Sequence, residues 1–180
     1  MKSIENYIKQ IKNNEDIENY LSSECDVDFE SKEDLKDDLD FLMEGAKCNY
    51  ELTPFACDGS GGIYAVLDNS KIGYIDSEGQ AGIIANNIKD FFNIIINCGI
   101  ISDYAKFNCL KNLEKFIEYY NEIEIPREEV FIKEFIKDNL LENNPNKIYE
   151  LLKDAVMSEP KLVIEAIDED YVDYIQLFNI

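Results

Sequence analysis

A hydroxyl, a carboxylate and three glycines fall together in Asp58-Gly59-Ser60-Gly61-Gly62, the first place in this chain to look for a nucleophile. The run is not a GxSxG elbow, because Asp58 stands where that motif needs glycine. The chain also has no histidine. Ser-His and Cys-His pairs are therefore excluded, as are zinc sites built on imidazole. The residue types predict a turn instead, with glycines taking positive φ and Asp58 accepting backbone hydrogen bonds. Asp26, Asp28 and Glu30 alternate as calcium-loop ligands do, yet Ser31 replaces the turn glycine and the twelfth position holds Asp37. Asp168-Glu169-Asp170 with Asp173 offers at most weak chelation and reads as solvated charge. Neither GxxxxGK nor a GxGxxG that follows a strand and opens a helix occurs, so no cofactor is expected. Two carboxylates at the right separation could hydrolyse a glycoside, but with 38 acidic residues any pair could be chosen, and the pattern carries no information. The chemistry expected of this chain is binding, with no catalytic residues.

Charge is the strongest compositional fact. The net charge is −21, and it is concentrated at the two ends: 15 acidic against 6 basic side chains in residues 1–54, 6 against 3 in 55–106, and 17 against 8 in 107–180. Such a field repels nucleic acid and anionic membrane and attracts basic partners, at rates that reach roughly 10⁸–10⁹ per molar per second at low salt. The same acidity also serves solubility alone. Five cysteines without a CxxC pair predict reduced, buried thiols. No apolar h-region follows Met1 and no stretch is long and apolar enough to span a membrane, so a cytoplasmic location is expected.

These residues are positioned by the stretch from Pro54 to Gly99. Ile63 to Leu67 fills both parities with apolar side chains, as a strand covered on both faces does. Asp68-Asn69-Ser70-Lys71 and Asp76-Ser77-Glu78-Gly79 supply turns to two further strands, Ile72 to Ile75 and Gln80 to Ala85. The result is an antiparallel meander in which Tyr64 and Tyr74 lie on neighbouring strands and pack across them or line a cleft. After Ala85 the period becomes helical through Ile88, Phe91, Phe92, Ile95 and Ile96, with Asn86 or Asn87 as cap.

The run PFACDGSGG, then a strand and a turn, YIDSEGQAG, IIANNIKDFF and IIINCG, resembles the SUKH superfamily, which includes bacterial toxin-immunity proteins and yeast cell-wall regulators. The resemblance covers about a quarter of the chain. It implies an α+β fold and, as in many bacterial members, neutralisation of a co-encoded toxin by direct binding. On that resemblance, the acidity and the lack of catalytic groups, the chain is expected to be an immunity protein occluding a basic toxin such as a nuclease. Asp26, Asp28, Glu30, Asp37 and Asp38 are the expected contact residues. A regulatory scaffold with a partner other than a toxin is the alternative, and an enzyme using carboxylates or a thiol is a remote third.

The flanks read as helices around the sheet, in one domain of which residues 107–180 form a mainly helical extension. Ile4, Tyr7, Ile8 and Ile11 predict a first helix, broken at Asn13-Asn14; a second runs around Ile17 to Leu21 and stops at Ser22-Ser23. The acidic segment Glu24 to Glu30 is expected to be a solvated loop. Ser31 and Asp34 then open a helix carrying Leu35, Leu39, Phe41 and Leu42 inward and Asp37, Asp38 and Asp40 outward. Past the central stretch, apolar stripes run through Leu110 to Tyr120 and Phe131 to Leu140, and Pro126, Pro145 and Pro160 are each expected in a helical first turn. The segment Tyr171 to Ile180 suits helix or strand.

Overall fold

The computed structural model describes residues 2–180 apart from Asn69, Asp168 and Glu169. The expected turn at Asn69 and the chelating group at Asp168-Glu169 therefore lie wholly or partly outside the described residues. Along the chain the elements are α1 (Ile4–Lys12), α2 (Glu15–Cys25), α3 (Lys32–Leu42), β1 (Ala46–Cys48), β2 (Leu52–Cys57), β3 (Ile63–Leu67), β4 (Lys71–Ile75) and β5 (Gln80–Ala85). After the meander come α4 (Ile88–Cys98), α5 (Ile101–Lys106), a 3-10 turn at Cys109–Lys111, α6 (Leu113–Glu122), α7 (Val130–Asp138), α8 (Pro145–Met157), β6 (Ile164–Ala166) and β7 (Ile175–Gln176). Among the described residues this is an α+β fold of helices around a five-stranded, mostly antiparallel sheet in the order β2-β3-β4-β5-β7.

Register explains how one sheet separates two cores. Ile63 pairs with Ile75 and Tyr64 with Tyr74, so alternate residues leave opposite faces. Tyr64 and Tyr74 join α4's Phe91 and Phe92 in the larger, aromatic core, while Ile63, Ala65, Leu67 and Ile75 meet Leu35 and Leu39 of α3 in a smaller, aliphatic one. Asn87 caps α4 by accepting from Asp90 N at 3.0 Å, and every residue from Phe91 to Cys98 is buried. The two tyrosine rings lie 4.8 Å apart and Tyr64 meets Phe91 edge-on at 5.5 Å, so the pair packs across the strands, while Tyr74 also borders a cleft.

Several flanking segments differ from expectation. Segment 24–30 is no solvated loop: Cys25, Val27 and Phe29 are buried in alternation with Asp26, Asp28 and Glu30. Asp28 exchanges both backbone hydrogen bonds with Cys57, at 2.9 and 3.0 Å, so the segment covers part of the outer edge of β2. Helix α2 runs past Ser22-Ser23 to Cys25 because Cys25 continues its buried face, and Asp26 ends it in the left-handed conformation, φ 53°. Phe41 points outward, 76% exposed. It lies two residues from Leu39, about 200° round the helix, whereas Leu35, Leu39 and Leu42 share one face.

Pro145 opens α8, but Pro126 lies four residues before α7, and Pro160 follows a cis peptide bond in a loop. In place of the expected helix after it, an extended segment leads into β6, with Leu162 and Ile164 buried and Val163 exposed, a period of two. Leu140 adopts φ 50° and is exposed, which turns Leu141 inward in its place. The chain's last regular elements are thus strands: β6 pairs antiparallel with β1, and β7 lies parallel to β5.

Candidate protein-docking surface

Asp58 is a structural carboxylate. Its Oδ1 accepts from Ser60 N at 2.8 Å, Ser60 Oγ at 2.9 Å and Gly62 N at 2.8 Å, and its Oδ2 accepts from the Tyr74 hydroxyl. Gly61 takes φ 90°, and a Cβ on Gly62 would fall on the Asp58 carboxylate and the Tyr74 hydroxyl, so both glycines are required where they stand. Burial alone would raise the Asp58 pKa, yet the bonds from Tyr74, Gly62 and Ser60 hold it below the usual carboxylate value. These four bonds commit the Asp58 oxygens to holding the turn, and the lowered pKa makes the carboxylate a weak base toward the Ser60 hydroxyl that donates to it.

The five carboxylates expected to contact a partner divide. Asp26 is engaged inside the fold, accepting from Gly59 N at 2.8 Å. The Cys57 thiol is pushed up to about 12 by burial first and then by the charges of Glu30, Asp28, Asp38 and Asp58. A thiol so raised stays protonated and unreactive at neutral pH. Asp37 and Asp38 are exposed on α3. None of the five takes part in the ion pairs among the described residues, which join Lys12 to Glu18, Lys47 to Glu165, Lys133 to Glu128, Lys147 to Glu150 and Lys161 to Glu159.

Phe41 completes the patch. It lies four residues after Asp37 and three after Asp38, so the three side chains are neighbours on the outer face of α3. Among the described residues no ion pair neutralises Asp37 or Asp38. An exposed aromatic ringed by carboxylates is the composition of an interface anchor with a charged rim. Reading the sequence for residue type alone assigned Phe41 to the core; its heptad position is the signal that places it outside.

Several clefts lie elsewhere on the molecule. One of about 570 Å³ runs past Ser60, Tyr74, Asp76, Glu78, Asp103 and Lys106. Burial raises the Asp76 carboxyl there, while hydrogen bonds from Gln80 and Glu78 oppose the rise. Among the described residues no group of three or more Cys, Asp or Glu side chains is placed to hold a metal ion, and no helix is long and apolar enough to cross a membrane. No protein-family model matches the chain, and no curated protein or solved structure matches it either.

Proposed function

We propose that this chain is a binding protein that docks a basic protein partner on the outer face of α3 and neutralises it by occlusion. The observation that carries the reading is Phe41, exposed among the unpaired carboxylates Asp37 and Asp38. The aromatic ring supplies apolar area that a partner pocket would desolvate, and the carboxylates steer and orient a cationic surface. Asp28 and Glu30, whose charges act on the same Cys57 thiol as that of Asp38, extend the negative rim. The SUKH resemblance in residues 54–99 supports a toxin as that partner, and a nuclease fits because its own site must be cationic to hold phosphate.

The test uses the product of the adjacent gene. Mixed with the purified chain it should form a stoichiometric complex whose association slows as salt rises, and co-expression should protect cells from it. Asp37→Lys with Asp38→Lys should slow association about tenfold or more while the fold is kept. A chain that neither binds that product nor protects against it is no immunity protein.

A further inference from the structure

The protein carries a single arginine, Arg127, among 38 acidic residues, and among the described residues no carboxylate pairs with it. Its Nε donates to the Asn97 carbonyl at 2.7 Å, and its guanidinium stacks 3.9 Å from the centroid of the Tyr120 ring. These contacts fix the fork and leave Nη2 sealed from solvent without a hydrogen-bond partner. The titratable groups that feel its charge from the packed elements are Tyr20, Cys25, Cys98, Tyr104 and Tyr120, all kept neutral by burial. Glu128, the neighbouring carboxylate, is held by Lys133 at 2.7 Å. A fixed guanidinium with an orphaned donor and no ion-pair partner among the described residues can take an acceptor from outside the chain where it borders a cleft.

The space beside it has a shape and a character. A cleft of about 240 Å³ opens between α4, α6 and α7, with Arg127 on its wall beside the paired Glu128 and Lys133, apolar sides from Ile96, Ile132 and Ile136, and Lys137 also lining it. Drug-sized ligands take roughly 300–1,000 Å³, so the occupant is smaller. A guanidinium fork matches a carboxylate in plane and spacing. The isoleucines favour an apolar stem behind that carboxylate, and the chain's net charge of −21 disfavours a dianion. We propose that this cleft is a binding site for a small monocarboxylate with a short apolar tail, held by Arg127 and screened by Lys137. It is separate from the α3 surface: Ile96 and Ile132 belong to the aromatic core, and α3 packs on the aliphatic one.

Having one arginine makes the test direct, because the ¹⁵N-labelled full chain gives one Arg Nε–Hε correlation. Titrating butyrate should shift that signal saturably, butyramide at equal concentration should leave it in place, and inorganic phosphate should bind at least about fivefold more weakly than butyrate. Arg127→Gln should abolish butyrate binding, read by the backbone amides of Asn97 and Ile132. Because Arg127 also packs on Tyr120, the exposed Lys137→Glu serves as the second variant, with affinity expected to fall about two- to fivefold. The proposal is overturned if butyrate produces no saturable shift, leaving water as the partner of Nη2. It is equally overturned if butyramide or phosphate matches butyrate, or if Lys137→Glu binds butyrate as well as the native chain.

Discussion

Helices α4 and α3 cover opposite faces of one sheet and use their residues differently. From Phe91 onward α4 is buried on all sides, and its aromatic side chains meet strands, α1 and α7 together. Helix α3 commits Leu35 and Leu39 to the core and leaves Asp37, Asp38, Asp40 and Phe41 in solvent. One helix is spent on the fold; the other rests on it by a narrow stripe and offers the remainder to a partner. A buried helix tolerates little change on any side, whereas α3 is free to vary everywhere except along that stripe.

Substitutions can break this contrast, beginning with the largest effect. Phe91→Ala should cost about 3–5 kcal/mol, lowering Tm by about 10 °C in calorimetry. Leu39→Ala, on the thinner face, should cost about 2–3 kcal/mol; a loss equal to that of Phe91→Ala would show that the two faces carry the same weight. Asp58→Asn keeps one acceptor oxygen but removes the charge that receives the Tyr74 hydroxyl, for about 2 kcal/mol at neutral pH.

The Asp58 variant also has a pH signature. The folded-state pKa lies below the unfolded value, so the carboxylate's contribution is fully present above about pH 4 and is lost as pH falls through the lower, folded value. Denaturation curves should therefore converge for Asp58→Asn and the native chain on acidification. Curves that stay parallel would deny Asp58 that role. The smallest effect on stability belongs to Phe41→Ala, within about 0.5 kcal/mol by denaturant titration, even though partner affinity should fall about thirtyfold if the ring is an anchor. A large loss of stability would return Phe41 to the core.

The same contrast marks what could be read from the sequence. Helix α4 and strands β3 to β5 were legible because each is long enough to show its period and is bounded by Asn, Asp or Gly. Strands β6 and β7 have three and two residues, too few to display alternation by themselves; Pro160 suggested a helix before β6, and the segment around β7 suited helix or strand alike. In segment 24–30 the alternation of Cys25, Val27 and Phe29 was present, but the density of acids concealed it. At the candidate surface, charge and outward direction were legible for Asp37 and Asp38. The engagement of Asp26 by Gly59 was not, because it depends on a contact between segments far apart in sequence. Arg127 carried a compositional signal, a lone arginine among so many acids, that only the unpartnered Nη2 made informative.

The pairing of β1 with β6 joins Ala46 to Ala166 across most of the chain. Contacts so distant must wait for long loop closures, so this small sheet forms late in folding and its six residues hold few cooperative bonds. Exchange of the Ala46 to Cys48 amides with deuterium should accordingly outpace that of Phe91 to Cys98, the buried centre of the fold. Strand β1 follows α3 after a three-residue turn. Helix α3 is thus tethered at its C-terminal end to a small sheet held by few bonds, and a partner that grips α3 as proposed would slow the opening of that sheet and so report its own binding as protection at a distance from the contact.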